Sequence, residues 1–297
     1  MLTGILAGLA AGALWGLVFV APRMVPGYTS VDFTAGRYAV YGTVAALVML
    51  AGLRTRRLPT WRQAGAALAM SLLGFTAYYL LLVFAIRDAG TEVPTLIIGT
   101  IPIWVMLLGK PQHLRWGALA PGLALTFAGL ALMVGSPHGA GAPGGQPAYW
   151  RGIGLAVAAM GCWTAFAIWN SAWLKRHPEV NATDWANWLG VATGLGALFL
   201  WFAAGSEAKV FAVRDQRALF AILCIATGFG SAWLATILWN IASQRLPASL
   251  CGQLIVSETL FALVYSFAWD GLWPTPPQAV ACVLFTLGIL ASIKAHR

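Results

Sequence analysis

The chain has 297 residues, 60% of them hydrophobic and 9% charged, with a mean hydropathy of +0.77. That balance is too apolar for a soluble domain of this size and predicts an all-α integral membrane protein. The formal charge of +9 would suit a nucleic-acid partner, but the Lys and Arg residues fall in short connections between apolar segments, which excludes a basic recognition face.

About 20 apolar residues cross a bilayer as a helix. Ten transmembrane helices are predicted on that measure, near 3–21, 31–53, 63–86, 91–109, 116–135, 150–174, 183–204, 216–242, 248–269 and 276–293. The first has no charged n-region and is followed by further spans, so it reads as a helix rather than a cleaved leader. Gly4, Gly8, Gly12 and Gly16 form one smooth ridge along it, suited to close packing or to a sliding gate. Trp15 lies deep within it.

The second span opens at Asp32 and carries Arg37, Tyr38 and Tyr41. A spacing of three puts the two tyrosines on one face, and with Arg37 they mark a polar patch toward the outer side. Arg37 lies about two turns in, close enough to the surface to snorkel, so it is read first as a gating or structural residue and second as a carboxylate binder. In the third span Tyr78 and Tyr79 point about 100 degrees apart, so at least one can turn inward and offer a hydroxyl to a substrate or to a neighbouring helix. The stretch "FAIRDAGTEVPTLIIGTIPIW" then makes a charged turn and resumes with Pro94 and Pro102 inside an apolar run. Prolines there break the hydrogen-bond ladder, and the freed carbonyls face a substrate or mark a helix end. Trp104 follows them.

"SPHGAGAPGGQPAY", 136–149, has linker composition and separates two five-span repeats, 1–135 and 150–297. The sixth span carries Trp163 and a small-residue ridge of Gly154, Ala158 and Cys162, the seventh opens at Asp184, and the eighth holds Trp233. Pro247 precedes the ninth, where Glu258 falls about halfway across. A carboxylate at that depth can neutralise a substrate amine, carry a coupling proton or bond a neighbouring helix. Cys162, Cys224, Cys251 and Cys282 have neither disulfide nor metal-ligand spacing and read as small core residues, so no metal or cofactor is expected. Of the 15 tryptophans, Trp61, Trp116, Trp150, Trp173, Trp185, Trp201, Trp269 and Trp273 sit near span ends as interfacial anchors. Trp15, Trp104, Trp163 and Trp233 lie deeper, where an indole N–H needs a partner or cavity water. Trp169, Trp188 and Trp239 carry no assigned role.

With both termini cytoplasmic, the inner side holds 11 basic residues (Arg54, Arg56, Arg57, Arg62, Lys110, Arg115, Lys175, Arg176, Arg245, Lys294 and Arg297). The outer side holds 6: Arg23, Arg87, Arg151, Lys209, Arg214 and Arg217. An odd number of spans per repeat inverts the second copy relative to the first, an arrangement common among transporters. Weak likenesses support the duplication: "GALWG" at Gly12 with "GCWTA" at Gly161, Asp32 with Asp184, and the opening hairpin with "NIASQRLPASLCGQLIVSETLF", which sets Pro102 against Thr259.

Ten spans in two halves, Trp15 and Trp163, the "AIRDAGTEVPTLIIGTIP" hairpin and its partner ending "SET" resemble the EamA branch of the drug/metabolite transporter superfamily, and within it the YddG-type exporters of aromatic amino acids. The resemblance implies a central cavity lined by the third, fourth, eighth and ninth spans, gates made of the first, second, sixth and seventh, and a bacterial inner-membrane location. The chain departs from the family pattern at Lys110, where many relatives close the fourth span with glutamate, and at Thr259, where a proline is common.

The expected function is a secondary transporter exporting aromatic and other neutral amino acids by alternating access. Its substrate-binding set is Trp15, Tyr78, Tyr79, Trp104, Trp163, Trp233 and Glu258. Gating or structural roles fall to Arg37, Tyr38, Tyr41, Gly12, Gly16, Pro94, Pro102 and Pro247. A proton is a possible co-substrate and the monomer the expected functional unit. The same scaffold also suits another small metabolite or a cationic drug. An intramembrane enzyme is disfavoured, since the chain carries no H-E-x-x-H, no G-x-S-x-G and no carboxylate pair at midplane depth, and the missing P-loop argues against ATP as direct driver.

Overall fold

A computed structural model describes residues 1–52, 58–89, 92–110, 114–134, 145–207, 215–271 and 273–296. Arg54, Arg56 and Arg57 of the basic cluster, Lys209, Arg214, Arg297 and residues 136–144 of the proposed linker lie outside them.

Helix starts are written in the side chains. Thr29 accepts from the Asp32 N–H at 3.1 Å while Asp32 accepts from the Thr29 N–H, a reciprocal capping box that opens α2 (Ser30–Ala51). Thr60 and Gln63 open α3 (Trp61–Ser71) in the same way, and Asn181 accepts from the Asp184 N–H at 2.8 Å to open α9 (Ala182–Ala204). Thr275 and Gln278 cap α13 (Pro276–Ala295), and α12 (Ala248–Asp270) stops at Gly271, whose φ of 64° suits glycine.

The other helices are α1 (Leu2–Gly16), α4 (Ala77–Ala89), α5 (Glu92–Gly99), α6 (Ile101–Leu108), α7 (Trp116–Val134), α8 (Gly145–Arg176), α10 (Arg217–Thr227) and α11 (Ala235–Arg245). Among the described residues, eight helical segments are long and apolar enough to cross a membrane, and Ile97–Leu108 and Trp116–Leu132 are shorter apolar helices. The protein is therefore an all-α membrane protein.

Three local features depart from the predicted straight spans. π-helical turns at Leu72–Thr76 join α3 to α4, and a second π segment, Gly228–Leu234, joins α10 to α11. The predicted fourth span is two short helices that meet at Thr100, with Pro102 in the first turn of α6, where its missing N–H costs no hydrogen bond. Finally, α8 begins at Gly145, inside the stretch read as linker.

Close approach is set by small residues. Gly4 faces Leu246, just past the end of α11, and Gly8, Gly12 and Gly16 face Leu254, Ser257 and Phe261, so the α1 ridge is the seam on which α12 and the turn before it lie. The sixth-span ridge is a different case. Gly154 and Ala158 are exposed and no atom would meet a Cβ at Gly154. The buried face of α8 instead runs through Gly152, Ala156 and Ala159, with Gly152 against Ala85 and Ala89 of α4. The difference is one of phase: residues two positions along a helix lie on nearly opposite sides.

The largest packing partnerships are α2 with α9, α7 with α13, α8 with α4, α1 with α11 and α12, and α6 with α12. Where α2 crosses α9, the Gly42 and Gly194 backbones touch, Tyr41 and Ala45 lie against Gly190, and the Tyr41 hydroxyl donates to the Ala186 carbonyl at 2.7 Å.

Candidate functional site

Two charged side chains face inward from different helices. Arg37, on the eighth residue of α2, does not snorkel: its Nε and Nη1 are buried without a hydrogen-bond partner. Nη2 reaches the Tyr38 hydroxyl only at 3.5 Å, and the guanidinium lies 4.9 Å from that ring's centroid. Glu258, on α12, is half-buried, packs its backbone against Gly12 and forms no hydrogen bond among the described residues. The two groups interact electrostatically without forming an ion pair, and the Tyr78 ring on α4 lies within range of both. A partly satisfied cation and a carboxylate without a hydrogen bond among the described residues thus give the candidate site two groups of opposite charge.

Indoles border it. Trp15 and Trp163 meet edge-on with centroids 6.4 Å apart, and Trp239 lies 5.4 Å from Trp15 and 6.1 Å from Trp163. Trp239, unassigned by sequence, is 1% exposed and its Nε1–H has no partner. From this triad the rings continue through Phe166 at 6.0 Å from Trp163, then Phe75 at 5.5 Å, to Tyr38 at 5.8 Å, linking α8 to α2.

The other predicted site residues go elsewhere. The Tyr79 hydroxyl donates to the Ser30 carbonyl at 2.7 Å, which ties α4 to the start of α2. Trp233 donates to Asn187 Oδ1 at 2.8 Å and packs with Ala182, Ala186 and Ile237 on the α9 side. Trp104 is 42% exposed, donates to Thr100 Oγ1 at 3.2 Å and lines a cavity beside α8. Tyr41 is committed to the α2–α9 crossing, and Gly12 and Gly16 to the α1–α12 seam. Pro94 is buried within α5, while Pro247 is the N-cap of α12 and so begins a helix rather than bending one.

Sequence reasoning also missed a polar chain near the triad. Trp185 Nε1 donates to Asn170 Oδ1 at 2.6 Å, Asn170 Nδ2 donates to Asn240 Oδ1 at 3.1 Å, and both asparagines are fully buried. Trp185 is thus a core donor stacked 3.7 Å from Trp173, not an interfacial anchor. Buried amides need partners, and an asparagine in each of two apolar spans was the available signal.

Apolar helices packed around a cation and a carboxylate that are not paired with each other suit a membrane transporter better than an inert scaffold. The chain belongs to the EamA-like transporter family, whose model matches residues 2–135. It is 31% identical to the inner membrane protein YtfF of Escherichia coli (strain K12) over 99% of this chain and 96% of that one. A solved crystal structure, 20% identical, matches the fold over 99% of this chain and 97% of its own with a TM-score of 0.79.

Proposed function

We propose that the protein exports zwitterionic amino acids, aromatic and other neutral ones, by alternating access, with Arg37 taking the carboxylate and Glu258 the ammonium. One observation carries this reading: Arg37 and Glu258 lie in electrostatic range of each other and of Tyr78, yet are not bonded to each other. The indoles of Trp15, Trp163 and Trp239 supply an apolar, planar wall for the side chain. A monocationic drug would meet repulsion from Arg37, which favours the zwitterion over that alternative.

The architecture we propose is ten spans in two inverted repeats, 1–135 and 150–297, joined by 136–149, in a bacterial inner membrane with both termini cytoplasmic. Three features support it. Gly42 and Gly194 touch and are 152 residues apart, the same interval that separates the capping aspartates Asp32 and Asp184. Self-pairing of equivalent positions is what a two-fold axis between them requires. The π segments interrupt the third span and the eighth at matching places, each after an 11-residue helix. Exchanging the halves also turns the α4–α8 partnership into α11–α1.

Counterflow in proteoliposomes loaded with unlabelled amino acid tests the substrate class. Labelled tryptophan, phenylalanine, threonine or methionine should accumulate, with and without a pH gradient. If none does, and a lipophilic cation does, the amino-acid reading fails. In Glu258→Gln, the uptake that remains losing its stimulation by a pH gradient would assign the proton to Glu258.

A further inference from the structure

We propose that the contact between α6 and the first half of α12 is the inner gate of the transporter, and that His296 at the end of α13 bolts it shut through Ser249. The gate rests on the transport reading above and on its orientation, with both termini inside.

One helix shows both the sealed and the open condition. From Ser249 to Ser257 every residue of α12 is buried, so more than two turns are closed on all sides. From Glu258 to Phe261 none is. On α4, Ala77 to Phe84 are likewise all half-buried, although eight helical residues point in every direction. Glu258 and Tyr78 thus sit at a boundary, closed off from the end where the chain terminates and open toward the other.

Small residues draw the seal tight. A Cβ at Gly252 would meet Val105 and the Met106 backbone, and one at Gly109 would meet Ala248 and the Ser249 backbone. The Ser249 N–H donates to the Gly109 carbonyl at 3.2 Å, and Val105, Met106, Leu250 and Leu254 are fully buried around it. The bolt lies on α13. His296 Nδ1 is 2.7 Å from the Ser292 carbonyl, which can only accept, so this nitrogen carries the proton. Nε2 of the neutral ring then accepts from the Ser249 hydroxyl at 2.8 Å. Ser249 therefore holds α6 with its N–H and α13 with its hydroxyl. Deeper in, Ser292 donates to Gln253 Oε1 at 3.2 Å and Gln253 donates to Thr126 of α7 at 3.0 Å, all three fully buried. That network fixes α12 to α7 and α13, whereas the half-buried His296 stands at the edge, where its bond can part.

N-ethylmaleimide labelling in lipid nanodiscs, resolved for each cysteine by mass spectrometry, tests this in the full chain carrying Cys162→Ala and Cys282→Ala. Cys251, 1% exposed within the sealed stretch, reports the gate, and Cys224, 4% exposed beside Phe33 of α2, is the reference. Both should label slowly. His296→Ala and Ser249→Ala should each speed Cys251 about fivefold, the double variant no further, and Cys224 should not change. Val105→Cys, on the α6 side of the seam, provides a second reporter with the same response. Labelling needs no substrate, so a chain that carries no amino acid but labels as expected would lose that reading and keep its gate. The proposal is overturned if both gate reporters label in the parent at the rate of an exposed cysteine, if His296→Ala changes neither, if the two substitutions add, or if Cys224 speeds up equally.

Discussion

Two helices carry the same small-residue pattern and use it in opposite ways. On α1 the ridge of Gly4, Gly8, Gly12 and Gly16 is buried against α12 and the turn before it, whereas on α8 the ridge of Gly154 and Ala158 looks outward and the packed edge runs through Gly152, Ala156 and Ala159. Spacing of four defines a smooth strip but not its partner. What distinguishes them is the facing helix. The α1 strip lies against the part of α12 that holds Ser257 and Glu258, so a side chain added there displaces the site itself.

Breaking that contrast starts with the largest effect. Gly12→Leu should abolish transport and leave little monodisperse protein in size-exclusion chromatography, because the backbone of Glu258 and the Ser257 side chain occupy the added volume. Gly154→Leu, at open space on α8, should insert, purify and transport as the parent does. Equal damage from the two would mean that burial does not separate them. Next come Arg37→Gln and Glu258→Gln, each expected to reduce amino-acid counterflow by at least about tenfold while the protein stays folded, since each removes a charge that no other described residue balances by an ion pair. Gly194→Val should shift the thermal midpoint down by several degrees in nanodiscs through its contact with Gly42. The smallest effect is Tyr41→Phe, which removes one buried hydrogen bond to Ala186 worth about 1 kcal/mol and should lower the midpoint only slightly.

The helices were legible because a span has a required length and because caps are local: Asp32 and Asp184 mark the starts of α2 and α9 in the sequence itself. The break at Thr100 was legible in part, through Pro102. The π segments were not, since nothing in Leu72–Thr76 or Gly228–Leu234 except their glycines departs from an ordinary helix. They matter for the site, because an inserted residue rotates everything beyond it by about 100 degrees and reassigns which aromatic faces inward. Trp239 illustrates the loss. Near the predicted end at 242 it carried no assigned role, but the helix runs on to Arg245 and the ring joins Trp15 and Trp163. Arg37 and Glu258 were each visible as expensive charges in apolar runs. Their proximity depends on how α2 and α12 pack, which no spacing within either helix encodes.

The account's central claim is that Arg37 and Glu258 grip opposite ends of one zwitterion, and competition in phenylalanine counterflow tests it most directly. N-acetyl-phenylalanine, which lacks the ammonium, and phenylalanine methyl ester, which lacks the carboxylate, should compete poorly in the parent protein. Glu258→Gln should narrow the gap between phenylalanine and the N-acetyl compound without narrowing that for the ester, and Arg37→Gln should do the reverse. Identical competition profiles in the parent and both variants would contradict the claim.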